Sequence, residues 1–461
     1  MKKTILSLLV FLPLAVLAQV AGSITPDLLR QLRADNQPTA ADRALRNALS
    51  RNAINDLTLQ ADNPAATDTH FSHEVPSKGI SDQKQSGRCW LFTSMNVLRA
   101  RMIKKYGLGS FQFSQSYNFF YDQLEKSNLF LQAVIDNAAE SMDTQTNQWL
   151  FQHPLSDGGT FCGAQDIITK YGLVPAEVMP ESYNANNTSR MSSILSLKLR
   201  EYGLELRRLA ASNPKAVQQR KGEMLSTVWH ILAMCLGTPP ETFTWTMRDA
   251  DGKALETRTF TPQEFYRTYV GADLRGDYIL LMNDPTRSYY KTYTIQYDRH
   301  SYDGRDWTYL NLPMERIEAV AIASIKDSTM LYMSCDVGKQ YDAKSGVLSL
   351  DNYAYGDLFG TDFPMNKAER IETHASASSH AMTLMGVDLD ADGRPLKWKV
   401  ENSWGADAGL KGHLVMTAAW FREYLFRLVA ERKYVPQDLQ ELYRQQPVRL
   451  PAWDPLFAEE E

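Results

Sequence analysis

The sequence is poor in the features that define many functions most sharply. It carries four cysteines in 461 residues, no block of lysines or arginines, no internal repeat and no low-complexity tract. Cys89, Cys162, Cys235 and Cys335 are far apart, so a disulfide framework is not expected even in an oxidising compartment. A formal net charge of -5 with no concentrated positive charge argues against nucleic acid as a main partner, because phosphate backbones are held by clustered cations. Histidines and cysteines never fall at metal-ligand spacing and no glycine-rich loop suits a phosphate, so no metal and no cofactor are expected. The turn DLDADG, beginning at Asp388, resembles the start of a calcium loop. Its twelfth position is Lys399 where a carboxylate is required, so a solvated hairpin turn is the better reading.

Long apolar runs are also missing, with one exception at the amino terminus. The stretch MKKTILSLLVFLPLAVLAQ has a basic start at Lys2 and Lys3, an apolar run from Ile5 to Leu17, and small residues at Ala15 and Ala18. That is the pattern of a secretory signal peptide cleaved after Ala18, and export to the periplasm or beyond is expected. The alternative, a retained membrane anchor, has too short an apolar run, and a helix-start signal follows it. No membrane span is expected after cleavage.

What remains is an ordinary globular composition, 44% apolar and 22% charged, long enough for several domains. Thr25 and Pro26 read as a helix cap and first helical position, and Thr39 with Asp42 as a capping box. Residues 56–68 read as a connector. A helix is expected from Cys89 to Lys105 with Trp90, Leu91, Met95, Leu98 and Met102 on its buried side, and another is expected after a Ser114 cap. Helical character runs on to about Leu236, where Cys235 reads as a core residue. The period then changes. FTWTMRDADGKALETRTF alternates about Asp251-Gly252 as a hairpin. A second hairpin follows in HAMTLMGVDLDADGRPLKWKVENSW, with Leu396, Trp398, Val400 and Asn402 expected inward and Lys397, Lys399 and Glu401 on the opposite face.

Cys89 interrupts that ordinary picture. It follows a polar, glycine-containing turn, DQKQSGR, and opens a helix, where unpaired backbone N–H groups and the helix dipole favour a thiolate. A nucleophilic thiolate also needs a base, a group to orient the base, and donors for the oxyanion. His380 opens one strand of the second hairpin and Asn402 ends the other, so pairing would bring them together as base and orienting group. Gln83 and the Cys89 N–H would hold the oxyanion, and Trp404 would shield the His–Asn bond from water.

The blocks DQKQSGRCW, SHAMTLMGV and VENSWG resemble the active-site blocks of papain-like cysteine peptidases, and more narrowly of the bleomycin hydrolase and aminopeptidase C branch. FSQSYNFFYD, KYGLVP, CLGTPPETFTW, TPQEFYRTYV, ASIKD, CDVGK and LPAWDP extend the resemblance from about Ala44 to the carboxyl terminus. It implies an α+β fold: a papain-like two-subdomain core, one helical and one β-rich, with a long helical and hairpin insertion. The corresponding divisions are a leader over 1–18, a helical arm over 19–75, the helical subdomain with the nucleophile over 76–190, the insertion over 191–320, the β-rich subdomain over 321–449 and a carboxyl-terminal arm over 450–461. The same resemblance assigns Cys89 as nucleophile, His380 as base, Asn402 as orienting residue and Gln83 as oxyanion donor. It implies a homohexameric ring acting on short peptides with free amino termini and on the amide of bleomycin. The tail would lie in the cleft, with the Glu461 carboxylate attracting the substrate amine. An endopeptidase with an open cleft is the alternative among enzymes, and a non-catalytic peptide- or nucleic-acid-binding homologue is the alternative outside them.

Overall fold

The computed structural model describes residues 22–63, 68–76 and 78–456; the expected leader, Met1–Ala18, and Glu461 lie outside these residues. The chain divides into two compact units, Met1–Thr58 and Leu59–Glu461. The first holds α1 (Pro26–Asp35), α2 (Ala40–Leu49) and α3 (Ile54–Thr58). Thr25 caps α1, with Pro26 at its start, and Thr39 and Asp42 form the capping box of α2. Helix α3 takes up the first residues of the expected connector.

The second unit opens with β1 (His73–Glu74) and continues with a run of helices: α4 (Cys89–Tyr106), α5 (Gln115–Asp136), α6 (Gln145–Gln152), α7 (Phe161–Tyr171), α8 (Ser189–Ser212) and α9 (Val217–Leu236). Ser114 caps α5 as the sequence suggests. Helix α4 is buried on every side from Cys89 to Arg99, not only along its apolar stripe, because it lies between the other helices and the sheet. The strands that follow are β2 (Phe243–Arg248), β3 (Ala254–Phe260), β4 (Tyr278–Met282), β5 (Lys291–Ile295), β6 (Thr308–Asn311), β7 (Leu331–Cys335), β8 (Tyr341–Asp342), β9 (Val347–Leu348), β10 (His380–Leu389), β11 (Pro395–Glu401), β12 (His413–Thr417), β13 (Leu425–Glu431) and β14 (Val448–Leu450).

Strands β2 and β3 form the expected separate hairpin, and Gly252 takes a left-handed φ of 80° in its turn. The others make one mixed sheet in the order β14-β5-β6-β4-β13-β7-β10-β11-β12-β9-β8, with β1 on the far half of β10. Strand β10 is buried from His380 through Val387, covered on both faces, which is why it reads as a nearly unbroken apolar run. The β10–β11 hairpin forms as expected, but its faces differ from the alternation. Leu396 is 53% exposed near the turn, whereas Glu401 is 1% exposed. The charged face is covered: Lys397 pairs with Asp68, and Glu401 meets α4 through Arg99.

Lys367, in the short helix Lys367–Glu372, is buried against β13. Its Nζ donates to Asn283 Oδ1 at 2.7 Å, to the Arg422 carbonyl at 3.2 Å and to the Leu425 carbonyl. Desolvation pulls its pKa from the ordinary 10.5 down to about 7. The folded protein then sheds this proton near pH 7 while the unfolded chain keeps it to near 10.5, so the burial penalty is full below 7 and is relieved as pH rises. Measured by thermal melts, wild type is expected to gain about 2 kcal/mol over Lys367→Met from about pH 6 to about pH 9. A constant difference across that range would show that Lys367 stays charged.

Candidate active site

The loop before α4 is locked from two directions. The Gly87 N–H donates to Asp157 Oδ2 at 2.8 Å, and a Cβ on Gly87 would stand 2.7 Å from Asp157 Oδ1, so a side chain there would push the loop away. Trp90 Nε1 donates to the Asp157 carbonyl at 3.0 Å. On the other side Arg88, fully buried, pairs with Glu181 at 2.7 Å, and its Nε donates to Ser86 Oγ at 3.0 Å. The Arg88 charge is taken by Glu181, and the unpaired N–H groups at the start of α4 contribute a positive field at Cys89. Cys89 is the first residue of α4, and no side chain caps that end.

The other half comes from the hairpin. His380 Nε2 lies 2.8 Å from Asn402 Oδ1, and the same oxygen accepts the Ser403 N–H at 2.8 Å. The Ser403 N–H fixes that atom as the amide oxygen, which can only accept, so Nε2 carries the proton and donates it, and Nδ1 is the basic nitrogen. The Cys89 sulfur accepts the N–H of Ala381, next to His380, at 3.5 Å, so the two halves meet at these residues. Trp404 lies against the imidazole, with ring centroids 4.7 Å apart and planes at 32°. Gln83 Oε1 accepts from Ser403 Oγ at 2.6 Å and Gln83 Nε2 donates to the Ser86 carbonyl at 2.6 Å, which leaves the second Nε2–H to be aimed. The structure thus brings together Cys89, His380, Asn402, Gln83 and Trp404. Sequence reasoning missed Asp157 and Ser403. Ser403 ties the Gln83 loop to the Asn402 strand, and its only signal was its place between Asn402 and Trp404.

Residues 23–457 match the Peptidase C1-like family. The chain is 39% identical to human bleomycin hydrolase over 443 residues, 94% of this chain and 96% of the relative. It is 41% identical to aminopeptidase G of Lactobacillus delbrueckii subsp. lactis over 387 residues, 84% of this chain and 88% of that one. The crystal structure of PepW from Lactobacillus rhamnosis superposes with a TM-score of 0.92 at 38% identity, covering 95% of this chain and 100% of that one. The chain belongs to the Peptidase C1-like family. Within the family it is a cysteine-type aminopeptidase with the papain-like α+β fold.

One ion pair of this peptidase links all three segments of the candidate site. Arg99, on the helix that Cys89 opens, pairs with Glu401 at 2.5 Å, and the two side chains are only 4% and 1% exposed. Arg99 Nη2 also donates to the Gly79 carbonyl at 3.1 Å, on the segment leading to Gln83, while Glu401 directly precedes Asn402. Breaking a buried pair strands the remaining charge. Glu401→Ala is expected to lower stability by roughly 3–5 kcal/mol in denaturant unfolding, and to lower kcat more than KM. A variant that melts early but turns over normally would separate the pair from positioning.

Cys162 and Cys235 are not placed for this chemistry, and Cys335, opposite His380 on β7, is fully buried inside the sheet. None of the four cysteines is in a disulfide bond. Cys162 is buried beside Thr160 and the Asp298 carbonyl, and desolvation pushes its pKa well above the ordinary 9.0, so it stays protonated. Cys235 is half-buried at the edge of the helical core, not inside it. Among the described residues, no group of three or more His, Cys, Asp or Glu could hold a metal ion.

Proposed function

We propose that this aminopeptidase removes amino-terminal residues from short peptides by a Cys–His–Asn thiol mechanism, outside the cytoplasm. The Cys89 thiolate attacks the scissile carbonyl, forming the C–S bond as the carbonyl electrons move to oxygen. His380 Nδ1 takes the thiol proton and returns it to the leaving amine. Water, deprotonated by His380, then cleaves the acyl-enzyme and regenerates the thiol. Gln83 Nε2–H and the Cys89 backbone N–H hold the oxyanion, Asn402 keeps the imidazole in its reactive tautomer, and Trp404 shields that bond. The single observation that carries this reading is the His380–Asn402 bond at 2.8 Å, with its polarity set by Ser403 N–H, beside Cys89 at the start of α4.

The exo mode is assigned to the tail. Strand β14 pairs with β5, Arg427 Nη2 donates to the Leu456 carbonyl at 2.9 Å, and Asp454 pairs with Arg287, so the chain is held to within five residues of its end. A cavity of about 660 Å³ has Ala452–Pro455 in its wall together with Lys126 and Ser156, next to the Asp157 that binds Trp90. In this reading the terminal Glu461 carboxylate receives the substrate amine and limits how far a peptide extends beyond the scissile bond. We assign the same protein a homohexameric state, in which a ring confines the active sites, and export through the leader ending at Ala18.

The test compares hydrolysis of peptides with free amino termini against the same peptides N-blocked, using protein starting at Gln19 under reducing conditions. Cleavage of the free peptides alone is expected. Equal cleavage of both would mean an open cleft and an endopeptidase. Sedimentation of the same sample reads the assembly, and a monomer that is fully active would overturn the ring.

A further inference from the structure

A cavity of about 1070 Å³ lies behind α4, bordered by the second half of that helix, by Arg267–Gly271 and Asp327–Met330, and by Glu401, Glu431 and Lys433. Arg99 stands ten residues along α4 from Cys89, about 15 Å of helix, so this is a separate site from the catalytic one. Its volume is at the upper end of the range for small-molecule sites. Part of its lining is apolar and accessible, with Ala100 from the helix, Val270 and Pro76 around it.

The charge of the lining is unbalanced. Seven cationic side chains border the cavity against three carboxylates. Those carboxylates are already occupied: Glu401 by Arg99 at 2.5 Å, Glu431 by Arg101 at 3.2 Å, and Asp327 by Lys433 at 3.1 Å. Lys78, Lys104, Lys105 and Arg267 have no ion-pair partner among the described residues. In a chain of net charge -5, such a surplus is not imposed by composition. Lysines scattered over a convex surface would simply be solvated. Here cations from three separate segments converge on one concavity with an apolar lining, which focuses a positive field into it.

We propose that this cavity binds an organic anion, with its apolar body against Pro76, Ala100 and Val270 and its carboxylate or phosphate at Lys104 and Arg267, and that occupancy alters turnover through the Arg99–Glu401 pair. That pair stands in the cavity wall, and Glu401 precedes Asn402 in the chain. A ligand that draws on the Arg99 charge shifts the strand end that carries Asn402.

The test is calorimetric titration of the full mature chain, its Cys89 alkylated with iodoacetamide so that the cleft cannot report. The probes are decanoate, inorganic phosphate as head group alone, and decyltrimethylammonium as a cation of matched length. Decanoate is expected to bind, the cation not, and Lys104→Glu/Arg267→Glu to weaken decanoate by about tenfold or more. Both substitutions are at exposed positions, and unaltered melting of the double variant checks its fold. Binding of the cation as tightly as decanoate, failure of decanoate to bind, or indifference to the double substitution would each overturn the site. With unmodified enzyme, saturating decanoate is expected to change kcat at least about twofold with KM little altered. Unchanged kinetics at saturation would overturn the coupling to Asn402.

Discussion

Replacing Cys89 by alanine is expected to leave a folded protein whose peptide hydrolysis has fallen by on the order of 10⁴ or more. The fold should survive because the change deletes one buried atom at a helix start that is held by other residues. Gly87 and Trp90 remain on Asp157, Arg88 remains on Glu181, and α4 keeps its packing. Turnover should not survive, because the other thiols lack the placement of Cys89: Cys335, opposite His380 on β7, is a strand residue fully buried in the apolar core. Cys162 is kept protonated by burial, and Cys235 lies on α9, away from His380 and Asn402. An unchanged circular dichroism spectrum together with lost turnover is the expected pair of results. Residual activity above about one per cent would remove Cys89 from the role of nucleophile. Iodoacetamide gives an independent reading: wild type should be labelled first at Cys89, and the variant should react only slowly.

Gln83→Ala is the second large effect. An oxyanion donor acts on charge that exists only in the transition state, so its loss should lower kcat by about 10²–10³ with KM nearly unchanged. Ser403→Ala should follow in the same direction with a smaller loss, about tenfold. It frees Gln83 Oε1 from its 2.6 Å bond, so the amide can turn, but leaves the donor present. A matching loss of stability in both variants would instead mark Gln83 as a packing residue of the loop. A rise in KM alone would make it a substrate-binding group.

Much of this was legible in the chain before folding. Thr25, Thr39 and Ser114 announce helices because a cap is a local contact, settled within three residues. The β10–β11 hairpin is equally local, since its pairing follows from the turn between Asp388 and Pro395. With that hairpin formed, His380 and Asn402 had to come near one another, and Cys89 at a helix start was recognisable as a thiol placed to react. What misled was the alternation of β11. Leu396 near the turn is exposed and Glu401 is buried, because the charged face is covered by α4 at Glu401 and by the segment around Asp68 and Glu74 at Lys397 and Lys399.

The residues that hold the site together could not be found this way. Asp157 lies 70 residues from Gly87, Glu181 lies 93 from Arg88, Ser403 lies 320 from Gln83 and Glu401 lies 302 from Arg99. None follows a spacing rule, since each partner is chosen by where two distant segments happen to pass. The cavity behind α4 is of the same kind: its cations come from separate stretches that look like ordinary solvated charge until the chain closes around them. The sequence by itself determined the proposed reacting groups and the elements that carry them, because helix starts, hairpins and caps depend on neighbours in the chain. Only the tertiary structure decided which buried charges are paired, how Gln83 and Asn402 are aimed, and where unbalanced charge collects. Those depend on desolvation and distance, which exist only after packing.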